Sequence, residues 1–221
     1  MIDFLFPKLH KEGYRFLAIA IVITFILLLI SKFLGLTSLG LTIWVYYFFR
    51  DPERFSINNE NYLLSPADGV ISKIIETNGP TDLGLENIKF TRVSIFMNVF
   101  NCHVNRSPSK GTISKIFYKP GKYINASLDK SSDENERNYI EIINSKNDQL
   151  VLVQIAGLIA RRIVCEVKEG DEIQQGEKFG IIRFGSRVDL YFKNYKILVN
   201  EKQKAISGET IIAVKNKNDW T

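Results

Sequence analysis

The chain has 221 residues, 45% of them hydrophobic, and a formal net charge of +5, enough for one core of ordinary size plus an appendage. The two cysteines, Cys102 and Cys165, lack the spacing of metal ligands, which argues against a disulfide framework and against a zinc site. The lysines are scattered among acidic residues without an aromatic and basic platform, so nucleic-acid binding is not indicated.

Two uncharged apolar runs near the N-terminus predict a membrane anchor. Residues 16–31 and 33–49 carry no charge, and Lys32 separates them. As helices, the runs would each be about 24–26 Å long, a little short of a hydrocarbon core of roughly 30 Å. Two short helices in a hairpin therefore fit better than one long helix. The alternatives are a cleavable signal peptide, disfavoured by the second apolar run, and a hairpin buried in a soluble protein.

Positive charges flank this hairpin on both sides. Lys8, Lys11 and Arg15 precede it, and Arg50 and Arg54 follow it. For a hairpin, this distribution predicts that both ends and the domain that follows lie in the cytoplasm. The basic flanks also favour an anionic leaflet. We therefore expect residues 1–50 to anchor the protein at the cytoplasmic face of the cell membrane.

The remaining residues, 51–221, are predicted to form a β-rich domain. Short β-type runs separated by turn residues are typical of an all-β sandwich or barrel. Residues 167–176 (VKEGDEIQQG) have the turn–strand–turn pattern of lipoyl-type sandwiches, and the turn 66–69 (PADG) is similar. We thus predict a mainly β barrel or sandwich with lipoyl-like (barrel-sandwich hybrid) features. The predicted strands are 70–76, 91–97, 112–118, 139–143, 150–156, 162–167, 178–183 and 188–192.

The pair Gly185-Ser186 interrupts the apolar β-type run 181–192. A glycine inside a strand usually marks a bulge or a close approach of two backbones. A serine directly after it can reach the Gly185 carbonyl where the backbone is strained, which is the geometry for attack on its own preceding peptide bond. The alternative is a β-bulge with a solvent-facing serine. The local pattern leaves both interpretations open.

Other residues able to do chemistry are few. His103 lies between a β-type run and a proline turn, Asp68 lies in a turn, and His10 lies in the N-terminal flank, where we expect an interfacial role. Ser186, His103 and Asp68 could form a triad, but most globular chains contain such a set. His103 could equally be a structural histidine, and Asp68 an ordinary turn residue. The polar segment 129–138 is either a solvated loop or part of an active site.

Taken together, six motifs resemble the short form of phosphatidylserine decarboxylase. Their order and the N-terminal hairpin agree with that family, and the resemblance covers essentially the whole chain. One departure concerns the segment 103–108, where longer members carry two histidines and this chain has Arg106 at the second position. His103 would then serve both self-cleavage and decarboxylation, or one role is filled otherwise. The motifs are FFRDPER (48–54), PADG (66–69), HVNRSP (103–108), NERN (135–138), QIAGLIARRIVC (154–165) and RFGSRVDLY (183–191).

This resemblance implies a complete reaction. Ser186, activated by His103 with Asp68 as the orienting group, would attack the Gly185 carbonyl and cut the precursor into a β chain (1–185) and an α chain (186–221). The new N-terminus would carry a covalent pyruvoyl cofactor derived from Ser186, with no metal. The pyruvoyl ketone would form a Schiff base with the amine of phosphatidylserine, and loss of CO2 would give phosphatidylethanolamine.

The partners implied are therefore the lipid substrate, the membrane and the two chains of one precursor, with a higher oligomer left open. Two alternatives were weighed. A membrane-anchored lipoyl-like adaptor without enzymatic activity explains the hairpin but not the Gly-Ser pair. A pyruvoyl decarboxylase acting on a soluble amino acid explains the pair but gives the hairpin no role.

Overall fold

The computed structural model describes residues 6–122, 134–157, 162–183 and 186–216. Two compact units are present. One comprises Met1–Glu53 with Phe100–Cys102, and the other comprises Arg54–Val99 with His103–Thr221. Gly185 of the predicted cleavage site, residues 129–133 of the polar segment and residues 158–161 of the fifth motif lie outside the described residues.

The first unit contains the helical hairpin. A short 3-10 turn, Lys11–Gly13, leads into helix α1 (Tyr14–Ile30), and helix α2 (Lys32–Phe48) follows after one residue. That residue, Ser31, has an extended backbone with φ −158°, so the helices are separate. Within the described ranges, one helical stretch, Lys11–Ile30, is long and apolar enough to cross a membrane, with a mean hydropathy of 2.5.

Hydroxyl groups line the contact between the two helices. Thr24 Oγ1 lies 2.8 Å from both Ser38 Oγ and Thr42 Oγ1, and a Cβ at Gly35 would lie 2.3 Å from a methyl carbon of Leu28. Small and hydroxyl residues between helices, with large apolar residues outside, are typical of membrane packing. The buried-hairpin alternative is disfavoured, because the large apolar side chains are exposed. They include Val22, Phe25, Leu29, Phe33, Leu36 and Leu41.

The second unit is built from β-strands. All eight predicted runs are present, as β2, β3, β5, β6, β7, β8, β10 and β11, so the mainly β class is confirmed. The strands are β1 (Tyr62–Leu64), β2 (Gly69–Asn78), β3 (Lys89–Met97), β4 (Val104–Arg106), β5 (Gly111–Lys119), β6 (Arg137–Asn144), β7 (Gln149–Ala156), β8 (Arg162–Cys165), β9 (Glu172–Ile173), β10 (Lys178–Arg183), β11 (Ser186–Phe192), β12 (Tyr195–Ile197), β13 (Lys204–Ala205) and β14 (Ile211–Lys215).

These strands form three sheets with antiparallel pairing. An eight-stranded sheet, curled into a half-barrel, has the order β13-β2-β3-β11-β7-β6-β5-β9. Two three-stranded sheets have the orders β1-β14-β12 and β4-β10-β8. Strand β11 therefore lies in the middle of the large sheet, whereas β10, which precedes it in the chain, belongs to a different sheet.

The predicted turn–strand–turn pattern is confirmed at β9. Gly170 and Gly176 flank this strand with φ of 89° and 78°. Residues with a Cβ rarely adopt a backbone with such positive φ values, which explains why glycine occupies both turns. Strand β9 pairs with β5 and forms one edge of the large sheet.

The large sheet has an inner and an outer face, because successive side chains of a strand point to opposite sides. On the inner face, apolar side chains pack against the two small sheets and form the main core, which includes Leu63, Ile71, Val93, Ile95, Ile140, Leu152, Phe179, Ile182, Val188, Leu190 and Ile212. On the outer face, residues 79–88 cover a second cluster, formed by Leu83, Leu85, Phe90, Tyr139, Val151, Val153, Ile155 and Tyr191.

Candidate active site

Ser186 is the first residue of β11 and is fully buried. It pairs with Met97 at the end of β3 and with Ala156 at the end of β7. The β-type run 181–192 is not one strand: β10 ends at Arg183 in a different sheet, in line with the separate predicted strands 178–183 and 188–192. Alternation alone cannot distinguish one strand from two consecutive strands that each bury alternate side chains. The interpretation of Ser186 as a solvent-facing bulge residue is wrong.

The hydroxyl of Ser186 faces a sulfur atom. Ser186 Oγ donates to Met97 Sδ at 4.0 Å, and the amide of Asn105 donates to the same sulfur at 3.8 Å. A thioether is a weak acceptor. The serine oxygen is therefore enclosed and shielded from water but only weakly held.

His103 is fully buried and directly precedes β4. Its carbonyl oxygen accepts a hydrogen bond from Ile182 N at 3.3 Å, and Val104 pairs with Ile181 in β10. His103 thus lies opposite the last residues of the strand from which the chain crosses to Ser186.

Asp68 lies directly before β2, with both carboxylate oxygens bonded. Arg54 Nη2 donates to Oδ2 at 2.8 Å, and the backbone N–H of Ser207 donates to Oδ1 at 2.8 Å. The partners are distant in sequence, so Asp68 is more than a local turn residue. Arg54 ends the FFRDPER motif, and its position in the sequence predicted only a basic flank of the hairpin.

The segment with Asp68 runs antiparallel to the segment with His103. Two bonds define the alignment: Leu64 N to Pro108 O at 2.9 Å, and Arg106 N to Pro66 O at 3.0 Å.

Gly69 allows a close approach of two backbones beside Asp68. A Cβ at Gly69 would lie 2.2 Å from Phe96 O, a distance that no side chain tolerates. Glycine is therefore required where β2 meets β3, one residue before the end of β3 at Met97.

Arg106, which occupies the second histidine position of longer family members, donates from Nη1 to Gly176 O at 3.1 Å. Because alternate residues of a strand share a face, Asn105 lies on the same side as His103, and Arg106 on the other. It is thus Asn105 that accompanies His103 on its face of β4.

A chain of buried amides that the sequence patterns did not predict leads to the sulfur of Met97, beside Ser186. Asn138 Nδ2 donates to Gln154 Oε1 at 2.9 Å, and Gln154 Nε2 donates to Asn105 Oδ1 at 2.8 Å. Asn105 then donates to Met97 Sδ, beside Ser186. Each of these amide residues belongs to one of the six motifs, which was the available signal.

The NERN segment packs against the strand next to Ser186. Asn135 Nδ2 donates to the carbonyl oxygen of Ala156 at 2.7 Å, and Glu136 Oε1 accepts from Ile163 N at 3.1 Å. Residues 135–138 are all buried. For these residues, the interpretation as a solvated loop is wrong.

His10 lies elsewhere. Its Nδ1 accepts a hydrogen bond from Glu12 N at 3.3 Å at the start of the 3-10 turn, and the residue is buried. In the first unit, Cys102 Sγ donates to Arg50 O at 3.2 Å. These are local structural contacts of the hairpin unit.

The outer face of the sheet carries charges instead of amides. Arg187 binds Asp189 with two contacts of 2.9 Å, and Arg92 Nε lies 4.0 Å from the same carboxylate. Burial raises the pKa of Tyr191. A pocket of about 410 Å³ opens on this face, lined in part by Lys73, Arg92, Arg137, Tyr139, Asp189 and Tyr191.

Known proteins are similar in sequence to this chain over nearly its full length. The family model described as phosphatidylserine decarboxylase matches residues 41–213. The chain is 62% identical over 215 residues to the phosphatidylserine decarboxylase proenzyme of Pelagibacter ubique. This alignment covers 97% of the chain and 100% of that protein. The chain is 50% identical over 214 residues to the proenzyme of Ruegeria pomeroyi (96% and 98%) and 53% identical over 206 residues to that of Azorhizobium caulinodans (93% and 88%).

These matches show the class of protein: the chain is a carboxy-lyase of phospholipid biosynthesis that is made as a proenzyme. The chain belongs to the phosphatidylserine decarboxylase family. The predicted activity is confirmed: self-cleavage into β and α chains, a pyruvoyl group formed from serine, and decarboxylation of phosphatidylserine at a membrane. The alternatives of an adaptor without activity and of a soluble amino acid as substrate are wrong.

The surroundings of Ser186 fit a pyruvoyl group. A ketone at this position would be fully buried and would face the Met97 thioether, to which the Asn105 amide also donates. Exclusion of water suits a carbonyl that must react with an amine.

Proposed function

We propose that Ser186 is the serine that cleaves the precursor and becomes the pyruvoyl group, that His103 is its general base, and that Asp68 orients the base. The observation that carries this assignment is the position of Ser186. It is a buried serine at the first residue of a central strand, where the chain crosses from one sheet to another. A strand that begins there is held by both neighbours, whereas Arg183, the last described residue before it, belongs to a different sheet.

In this proposal, His103 accepts the proton of Ser186 Oγ as the oxygen attacks the Gly185 carbonyl. Its burial lowers the local dielectric and strengthens the interaction of the imidazolium with Asp68. Arg54 and Ser207 hold the Asp68 carboxylate in one orientation. We therefore assign Arg54 as a positioning residue that acts through Asp68.

After cleavage, the pyruvoyl group supplies an electron sink for the carbanion that loss of CO2 creates. His103 is proposed to return a proton to the substrate carbon. Because Arg106 is bonded to Gly176 O, we assign both proton transfers to His103. The enclosed environment of residue 186 excludes water from the reacting carbon.

We propose that residues 1–50 anchor residues 51–221 at the cytoplasmic face of the membrane. The hydroxyl-lined helix contact and the exposed apolar exterior support this role. A lipid head group can then react while its acyl chains stay in the leaflet, which avoids about 0.8 kcal/mol for each CH2 transferred to water. The glycine turns around β9 support the likeness to lipoyl-type sandwiches. A higher oligomer stays a prediction.

The primary test is intact-mass spectrometry of the purified protein. We expect two chains of roughly 21 and 4 kDa, in proportion to residues 1–185 and 186–221 of the 25.3 kDa precursor, and the small chain should resist Edman sequencing. Ser186→Ala should remain intact and inactive. Full decarboxylase activity in an uncut chain would refute the assignment.

A second experiment separates the roles of His103. His103→Ala should accumulate precursor, and Asp68→Asn should cleave more slowly because the base loses its orientation. Arg54→Gln should have a smaller effect in the same direction, and Arg54→Lys should recover part of it. Normal cleavage of His103→Ala with lost turnover would confine His103 to decarboxylation.

A further inference from the structure

We propose that the pocket on the outer face of the large sheet binds an anion that carries a phosphate group, supplied by a lipid head group or by a soluble phosphate. The volume of this outer pocket, about 410 Å³, lies within the range of about 300–1,000 Å³ that is usual for small-ligand sites. Its lining residue Asp189 is on the face of β11 opposite to Ser186. The proposal therefore goes beyond the proposed function and does not depend on it.

The lining of the outer pocket comes from neighbouring positions of the sheet. Lys73 of β2 and Asp189 of β11 are both paired with Ser94, which lies between them in β3. Asp189 is paired on its other side with Val153 of β7. Residues paired directly across strands project to the same face. These side chains therefore meet over one area of the sheet, and the segment 77–81 completes the lining.

Cations outnumber carboxylates around this pocket. Lys73, Arg92 and Arg137 carry three positive charges, and Asp189 supplies the one carboxylate among the described residues that line it. The Asp189 carboxylate lies 2.9 Å from Arg187 and 4.0 Å from Arg92, so its charge is shared with a further cation outside the lining. A surplus of positive charge therefore remains in the outer pocket.

The carboxylate of Asp82 lies beside the pocket and does not cancel this surplus. Its Oδ1 is 2.7 Å from Lys119 Nζ, whereas its Oδ2 is 3.9 Å from Arg137 Nη1. Tyr139 donates a hydrogen bond to Oδ2 at 2.7 Å. When Lys119 and Arg187 are counted with the lining, five cations accompany two carboxylates.

Burial of these cations favours the binding of an anion. The side chain of Arg137 is 7% exposed and that of Arg92 is 11% exposed. Like charges repel one another more strongly where protein displaces water, and a cleft lined by one sign of charge concentrates the opposite sign. An anion bound in the outer pocket would offset the repulsion.

The types of donor indicate a phosphate group. A guanidinium can give two parallel hydrogen bonds to phosphate oxygens, and two arginines line the pocket. Neutral polar side chains of Thr77, Asn78 and Thr81 line it as well. Burial raises the pKa of Tyr191, so its hydroxyl keeps its proton at neutral pH. A phosphate group has several oxygens that can accept from such a set of donors.

The test measures the binding of inorganic phosphate to the full-length protein in an uncharged detergent, through the broadening of the phosphorus NMR signal at constant ionic strength. We expect saturable binding. Lys73→Gln should weaken it by about tenfold, the loss expected for one hydrogen bond to a charged group. Lys73→Arg should restore most of the affinity, because it keeps the positive charge.

The matched control is Lys204→Gln. Lys204 is an exposed lysine of β13, the strand next to β2, and it does not line the outer pocket. This variant loses the same charge, and its affinity for phosphate should stay within about twofold of the unaltered value. An unchanged affinity in well-folded Lys73→Gln, or an equal loss in Lys204→Gln, would overturn the proposal.

A competition experiment keeps the proposal falsifiable if Lys73→Gln folds poorly. Sulfate, which also presents several oxygens, should displace phosphate from the unaltered protein, and chloride at the same ionic strength should not. Equal displacement by both ions would show a diffuse attraction of counter-ions and would overturn the proposal.

Two phosphate esters then identify the source of the anion. Displacement of phosphate by micelles of dihexanoyl phosphatidylglycerol would assign the outer pocket to a lipid head group. Displacement by glycerol 3-phosphate, without displacement by the lipid, would assign it to a soluble phosphate. If neither ester displaces inorganic phosphate, the proposal is overturned, because a site for a phosphate group has to accept one of its esters.

Discussion

The two faces of strand β11 solve the problem of buried polar groups in opposite ways. On the inner face, Ser186 lies at the end of a chain of neutral amides. On the outer face, one residue further along, Arg187 and Asp189 form a buried ion pair joined by a hydrogen bond of 2.9 Å. The same seven-residue strand thus carries uncharged hydrogen bonds on one side and full charges on the other.

We interpret this difference as a division of roles, in which the inner face of β11 serves the reaction and the outer face stabilises the sheet. Amides satisfy one another without the desolvation penalty of ions and leave the protonation of His103 undisturbed. A buried ion pair holds its strand in one geometry, but loss of one partner leaves a buried charge unpaired and strongly destabilises the fold. We expect the inner face to respond to mutation mainly in reaction rate, and the outer face mainly in stability.

The largest expected effect on stability comes from Asp189→Asn. The exchange removes the carboxylate that binds Arg187 at two positions, and breaking a buried pair in this way typically destabilises by about 3–5 kcal/mol. The measurement is thermal unfolding in the Ser186→Ala background, where the chain stays in one piece. The double change Arg187→Met with Asp189→Leu should recover most of the loss. A fall of the same size in the double variant would contradict the separation of roles.

A smaller loss of stability is expected for Gly69→Ala, at the start of β2 beside Asp68. Gly69→Ala would place a Cβ 2.2 Å from Phe96 O, and relieving such overpacking typically costs about 1–3 kcal/mol. Because Asp68 is the neighbouring residue, cleavage should also slow. The control is Gly40→Ala, where a Cβ has no atom within 4 Å. An unchanged cleavage rate in a destabilised Gly69→Ala would separate the packing of β2 from the site.

A pH-dependent effect is expected at the cover of the outer face. Burial opposes ionisation of Asp82, but hydrogen bonds from Lys119 and Tyr139 prevail and lower its pKa below 3.8. The carboxylate therefore contributes its full stability above about pH 4 and loses it as the pH falls through the folded-state value. Melting temperatures of Asp82→Asn and unaltered protein should differ at neutral pH and converge in acid. A difference that persists in acid would contradict this origin.

The smallest effect is expected for Ser94→Ala. Among the residues that the structure describes, Ser94 Oγ is a buried hydroxyl without a hydrogen-bond partner, opposite Asp189 in the sheet. Removing an unsatisfied hydroxyl should change stability by less than about 0.5 kcal/mol, and we expect the change to be a small gain, because the buried hydroxyl has no hydrogen bond to lose. A loss above 1 kcal/mol would mean that a water or the Asp189 carboxylate depends on this hydroxyl.

Sequence patterns predicted the long strands because alternation records which side chains are buried. They missed the short strands β1, β4, β12, β13 and β14, of two to five residues, because such short strands depend on their partners. They separated 178–183 from 188–192 but did not indicate that the two strands belong to different sheets, since the change of sheet after Arg183 leaves no local mark. The change matters most at Ser186, which it places at the start of a central strand.

The candidate site was predictable only in part for a related reason. Ser186, His103 and Asp68 could be selected through the motifs, yet the places of their segments in the sheets depend on strand register. Asn105 and Gln154 are 49 positions apart in the chain, and only the folded sheets bring their amides together. No spacing rule in one sequence encodes such a contact.

The position of β11 has a consequence for the lifetime of the mature protein. After a cut before Ser186, the C-terminal piece still supplies β11 between β3 and β7, and both β14 and β12 beside β1. Its release would open both sheets, so the two pieces are interleaved and not merely docked. Once denatured, they would have to find each other again as separate solutes, whereas the precursor folded with them joined. We expect the mature enzyme to be assembled once, and its durability to be set by how slowly it unfolds.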